Sequence, residues 1–533
     1  MKPISLKTAS SFKSCKLTSG QIILGIMLIA QLVCLFLFNL LKLNDYMDPD
    51  AANLFSHMYK VVHERTYLIP DWIYTTTLEL DCSLFLVAPI YAITRSVPVS
   101  VAITNLIYAL FFIYVWMKVL RKESLYSRLM FANLVLIPYQ IGMLDYYNMM
   151  FFSGGQYLIK TLIPVILIAI LLQSEEKEFD KREFIGLSVI FVALLFITSL
   201  SSGVYVMMMG LAPVALVYLC IHFVKWEKIP GRIWGLAIVS GLVSVIGILF
   251  NSRFEKEIVR DITYPDVQTM YGYPQRVFWG LFQLFGGVKG EGEVTVLSLE
   301  GMIMLGKIIL VFAVLISAVY TLILWIKNKA SLLQKMLVVM FIWGLFFQII
   351  FLTSYASASY EYRYHLMEMI PALALLCVNF VGILPIFKNK QQLFTLKIIG
   401  LSILAAFTIY NYGDAFRGRN EHAVIPREIV EKCEGLGYDT VYIYTEQPYA
   451  EYGRYYSGGK DYFTCLAGGS MYARDYYKKY SDVTIEPTEI SLFVFKCTEL
   501  VPFEIGAEGG YFNGYYLYPV LQVGEYTILR VIP

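Results

Sequence analysis

Eleven stretches of this 533-residue chain are apolar over close to twenty residues each, and no other feature limits the fold so severely. A helix rises 1.5 Å per residue, so about 20 residues cross the roughly 30 Å of bilayer hydrocarbon with every backbone polar group bonded inside the segment. The stretches are 21–43, 98–118, 128–145, 157–173, 184–200, 204–223, 232–250, 301–326, 333–352, 365–386 and 395–411. Composition agrees: 57% of residues are hydrophobic and 16% charged, whereas soluble domains carry about a quarter charged residues. The expected fold class is a polytopic α-helical membrane protein of about 11 transmembrane helices with a small C-terminal extracytoplasmic α/β or α+β domain. A net charge of +2 offers no bulk attraction for nucleic acid. No small-residue cleavage site follows the first stretch, which reads as a retained span.

One further apolar segment, 84–94, is too short to cross and reads as an interfacial or re-entrant helix. Charge decides this. With eleven spans, the lysines and arginines at 2–16, 118–128, 177–182, 225–232, 327–335 and 388–397 all fall inside, and the short outer connections hold only Arg363. A twelfth span at 84–94 would place the 118–128 cluster outside. The expected protein is a multi-pass plasma-membrane protein, bacterial in type, with its N-terminus cytoplasmic. Its long polar segments are external: a first outer loop 44–97, a long outer loop 251–300 and a soluble domain 412–533, attached to a membrane domain 1–411.

The external domain carries its own signals. Residues 425–436 read as an amphipathic helix opening at Pro426 and closed by Gly437, and 440–445, 491–497 and 526–532 read as strands. Eight cysteines include no C-x-x-C pair and no zinc spacing; Cys433, Cys465 and Cys497 share this domain, leaving a disulfide open.

The first outer loop is the acidic one. Asp48 before Pro49 has the form of an N-cap followed by proline at the first helical position. Asp50 then occupies the first turn, with Asn53 and His57 further along the same face. Capping alone could explain Asp48 and dipole compensation Asp50, but a second acid adds little to a capped end. A functional carboxylate here would be a base or an oxyanion ligand, and the pair could bind a divalent cation. His57 and His63, six apart, fall on different faces.

Four more outward groups stand out. Lys160 enters the fourth span about one turn deep, where it either snorkels or meets an anion such as a lipid phosphate. Asp145 ends the third span beside two tyrosines and Asn148. Glu361 and Arg363 sit at the mouth of the tenth span; the guanidinium can grip a phosphate or bridge to Glu361 or a loop acid. The long outer loop adds Asp266, Arg276 and many aromatics.

Taken in order and sidedness, the acidic motif Asp48–Asp50, the surface helix with APIYAITRS, the outer acid Asp145 and the EYRY pattern with Arg363 and Tyr364 resemble the GT-C membrane glycosyltransferases, such as protein O-mannosyltransferases. The resemblance covers about the first 410 residues. It implies inverting sugar transfer from a polyprenyl-phosphate donor to a lipid, glycan or protein acceptor, as in cell-envelope glycan biosynthesis. Asp50 would be the general base with Asp48 as the alternative, and Arg363 and Lys160 would neutralise the leaving phosphate. The family often has Asp-Glu where this chain has Asp-Pro-Asp, so metal dependence is left open. Competing readings are a polysaccharide polymerase or ligase, which Arg276 keeps in view, and a lipid-linked-sugar transporter or flippase, which nearly charge-free spans disfavour.

Overall fold

The computed structural model describes residues 17–176, 179–256, 267–288, 294–354, 361–383, 390–437, 440–444, 447–459, 463–466, 471, 473–474 and 484–532. Among these, nine helices are long and apolar enough to cross a membrane, each on a stretch selected above. Helix α1 (Ser19–Lys42) leads into α2 (Pro49–Glu64), α3 (Leu84–Thr94) and α4 (Val97–Val119). Then come α5 (Leu125–Val135), α6 (Tyr146–Phe151), α7 (Leu158–Ser174), α8 (Lys181–Ser202), a π turn Met207–Leu211 running into α9 (Ala212–Lys225), and α10 (Gly231–Asn251). Helices α11 (Val267–Leu284), α12 (Leu299–Ile326) and α13 (Leu332–Ser354) precede a 3-10 turn Tyr362–His365, α14 (Leu366–Ile383) and α15 (Lys390–Arg417).

Two expected spans differ in form. Helix α7 has 17 residues, and the stretch 128–145 is helical only as far as Val135. Pro138 explains the stop: it has no N–H to donate and pushes Ile137 out of the helical region. The chain nevertheless runs the length of α14, because Ser127 bonds the Cys377 carbonyl near one end and Asp145 bonds Tyr362 just before the other. Unwound backbone at such depth needs partners from the protein. Tyr139, Tyr146 and Tyr412 hydroxyls donate to the carbonyls of Leu134, Val135 and Leu136 at 2.7–2.8 Å. Lys307, buried within α12, donates to the Tyr139 carbonyl. The spans are thus less charge-free in effect than in appearance, since Lys307 replaces a lost helical hydrogen bond.

At the far end of the helices, Lys118, Arg121 and Lys122 pair with Glu176 and Glu183 at 2.5–3.4 Å, gathering the ends of α4, α7 and α8. Helix α3 is an 11-residue apolar helix, too short to span.

The C-terminal part is a small α/β unit. Helix α16 (Glu421–Leu436) ends at Gly437, whose φ of +71° suits glycine. Strands β1 (Thr440–Tyr444), β2 (Phe463–Leu466), β3 (Ala473–Arg474), β4 (Ser491–Lys496), β5 (Gly510–Phe512), β6 (Tyr515–Val523) and β7 (Tyr526–Ile532) form one sheet in the order β3-β2-β1-β4-β7-β6-β5. β1 is parallel to β2 and β4, and the outer pairings are antiparallel. Leu492 and Val494 of β4 join α16 on one face, while Phe493 and Phe495 pack with Phe512 on the other. Burial on both faces is why SLFVFK lacks alternation. Helix α17 (Gln447–Tyr456) lies between this sheet and α2. No disulfide joins the cysteines among the described residues.

Candidate active site

The start of α2, the start of α6 and the 3-10 turn before α14 converge on three acids and one arginine. Asp48 caps α2, as its Asp-Pro sequence predicts: Oδ1 accepts from the Ala51 amide and Oδ2 from Asn148 Nδ2, both at 2.9 Å. It is only 2% exposed. Burial first, then the neighbouring Asp50 charge, push its carboxyl up to about 6, against the hydrogen bonds from Asn148 and Ala51 and the field of Arg363. Asp50 differs: its side chain is 36% exposed and its Oδ2 lies 3.1 Å from Arg363 Nη1. Arg363 is also 2.6 Å from Glu361 through Nε, an ion pair without hydrogen-bond alignment. The one anomalous outer arginine therefore bridges two carboxylates.

Tyr157 connects this cluster to Lys160. The Lys160 ammonium lies 5.1 Å from the Tyr157 ring centroid, and Arg363 is within electrostatic reach of the same phenol. Lys160 does not snorkel. It is buried and 3.8 Å from Asp81, itself held by the hydroxyls of Ser201 and Ser202 at 2.7 Å. Tyr364 is half-buried and its carbonyl accepts from Gln348.

One expected site residue is placed elsewhere. His57 turns into the packing of the first loop, with Nδ1 3.1 Å from Glu79 and its ring stacked on Trp72, so it does not join the Asp50–Arg363 pair. Helical spacing gave it the right stripe, but the loop at 66–83 folds over that stripe. Arg276 is exposed on α11, and among the described residues no ion pair ties it to the cluster. Asp266 lies outside the described residues. Among the described residues no three His, Cys, Asp or Glu side chains group as metal ligands.

Asp145 begins α6 and accepts from the Tyr362 hydroxyl at 2.7 Å. Asp145→Asn keeps an acceptor for the Tyr362 hydroxyl, so the contact and the passage around it are expected to survive, read as a melting temperature within a few degrees of wild type in detergent.

Sequence reasoning missed Asn148, Tyr157, Tyr362 and Asp81 as contributors. Asn148 stood three residues past Asp145, the helical spacing that puts both at the start of α6, and so was within reach. Asp81 carries no local signal at all.

No protein-family model matches the chain, and no curated protein does. Among solved structures it is similar to ArnT from Cupriavidus metallidurans in the apo state, with a TM-score of 0.57, 11% identity, and coverage of 96% of this chain and 98% of that one. The fold is ArnT-like. The same protein bound to undecaprenyl phosphate aligns with a TM-score of 0.55, again at 11% identity over 96% of this chain and 98% of that one. The ArnT-like fold thus extends through the C-terminal sheet, beyond the 410 residues on which the motifs rest.

Proposed function

We propose that this protein is a membrane glycosyltransferase that moves a sugar from a polyprenyl-phosphate donor to a hydroxyl of a lipid, glycan or protein acceptor on the non-cytoplasmic side. The carrying observation is the Asp50–Arg363 pair, an accessible carboxylate beside a cation at one end of an ArnT-like bundle. That a relative in fold binds undecaprenyl phosphate supports the donor class. The positive-inside pattern supports the sidedness.

In the reaction, Asp50 takes the proton of the acceptor hydroxyl as its oxygen bonds the anomeric carbon and the bond from that carbon to the phosphate oxygen breaks, with inversion. The phosphate leaves with the electron pair, and Arg363, with Lys160 behind Tyr157, offsets its charge. Asp48, with both oxygens occupied, fixes the helix start.

The test is purified protein in liposomes with a labelled polyprenyl-phosphate sugar and a panel of acceptors. Release of polyprenyl phosphate with label on one acceptor class is expected. Intact donor with every class, or donor crossing the bilayer unchanged, would overturn the reading in favour of no transfer or of transport.

A further inference from the structure

We infer that α17 of the C-terminal domain is a positioning element for the acidic helix start: Tyr452, Tyr455 and Tyr456 hold the turn ahead of Asp48 and so set where Asp50 stands. This rests on the proposed role of Asp50.

Beyond local bonds to Lys42, the described hydrogen bonds of the turn joining α1 to α2 come from the chain after residue 414. Tyr456 donates to the Asn44 carbonyl at 3.1 Å, Tyr455 to Asn44 Oδ1 at 2.7 Å and Tyr452 to the Met47 carbonyl at 3.2 Å. The Asn420 amide donates to the Asp45 carbonyl at 2.7 Å, and Tyr46 to the Ala415 carbonyl at 2.9 Å. Met47 is the residue before the cap. Most of these bonds end on backbone carbonyls, so they fix the path of the chain rather than one side chain.

The same helix grips α2 directly. Tyr455 packs on Phe55 with centroids 5.7 Å apart, and Tyr59 donates to the Tyr455 carbonyl. Gly459, at φ +84°, ends α17 so close to Tyr59 that an added Cβ would stand 2.6 Å from Cγ. On its other side α17 is anchored to the sheet, where Gly453 lies against Phe463 and Arg454 Nε donates to the Phe463 carbonyl at 3.2 Å. A continuous line of contacts therefore runs from β2 through α17 to the turn and α2. Arg363 and Lys160 lie on other elements, so loosening α17 displaces the acid without removing the cations. Misplacing a reacting group by about 1 Å can cost on the order of 10²-fold in rate.

The triple variant Tyr452→Phe/Tyr455→Phe/Tyr456→Phe keeps the rings and removes the three hydroxyls. It is expected to lower kcat about 10- to 100-fold while donor KM stays within about threefold, since only the positioning of the base is disturbed. Tyr455→Phe and Asn44→Ala remove the same bond, so their double variant should be no worse than the poorer single. Tyr442→Phe, which loses a hydroxyl bonded to Ser491 inside the sheet, is the folding control and should keep wild-type kcat. Hydrogen exchange supplies a readout independent of turnover: amides of residues 50–53 should exchange faster in the triple variant and not in the control. Unchanged exchange, or faster exchange with wild-type kcat, would overturn the inference. Additive losses in the Tyr455–Asn44 cycle would overturn it too. Absence of transfer by the wild type, with exchange altered as stated, would instead count against the proposed function.

Discussion

Asp50→Asn is expected to lower sugar-transfer turnover by about 10²–10⁴-fold, the usual worth of a positioned general base, with expression and melting temperature close to wild type. The fold should survive because Asp50 is partly exposed and Asp48, not Asp50, caps the helix. The paired experiment is Asp48→Asn. Asparagine is as good a cap as aspartate, and the amide of Asn148 can turn to meet it, so this variant should keep turnover within about tenfold. Steady-state rates with a polyprenyl-phosphate sugar decide between the two acids. Retained turnover in Asp50→Asn, or the larger loss in Asp48→Asn, would move the base to Asp48, whose carboxyl at about 6 is well matched to neutral pH but whose oxygens are both engaged.

Arg363→Ala is expected to cost about 10²–10³-fold in kcat/KM for the donor, comparable to removing one preorganised donor aimed at developing charge. Two effects add here: the leaving phosphate loses its cation, and Asp50 and Glu361 lose the charge between them. Arg363→Lys should recover only part of the loss, because a point charge cannot serve two carboxylates and a phosphate with the geometry of a guanidinium. Binding of polyprenyl phosphate, measured by displacement of a labelled analogue, should weaken in step. Unchanged binding in Arg363→Ala would remove the phosphate from this site.

Local signals carried most of the architecture. Hydropathy found each of the nine helices that are long and apolar enough to span, but not α11, whose 18 residues fall in the stretch read as an outer loop. The tail helix and three of its strands were legible from Gly437 and runs of β-branched and aromatic residues, although that helix starts at Glu421 and carries Pro426 inside it rather than at its first position. The Asp48–Pro49 pair read correctly as a helix start. The half-helical passage at 128–145 was not legible, although Pro138 stood in plain view, because apolar content alone does not say whether tyrosine hydroxyls and a lysine from elsewhere will satisfy an opened backbone.

By itself, then, the sequence determined that the chain is a bundle of apolar helices with an acidic helix start and a folded tail, since these follow from solvent transfer, capping and periodicity among near neighbours. Only the tertiary structure decided which charges meet. Lys160 finds Asp81, Arg363 finds Asp50, His57 finds Glu79, and α17 finds the turn before Asp48. Three of these partnerships join residues some eighty to four hundred positions apart, and the fourth depends on how an irregular loop folds back. In a medium where an unpaired charge costs several kcal/mol, each such meeting is settled by which partner the packed helices bring within reach.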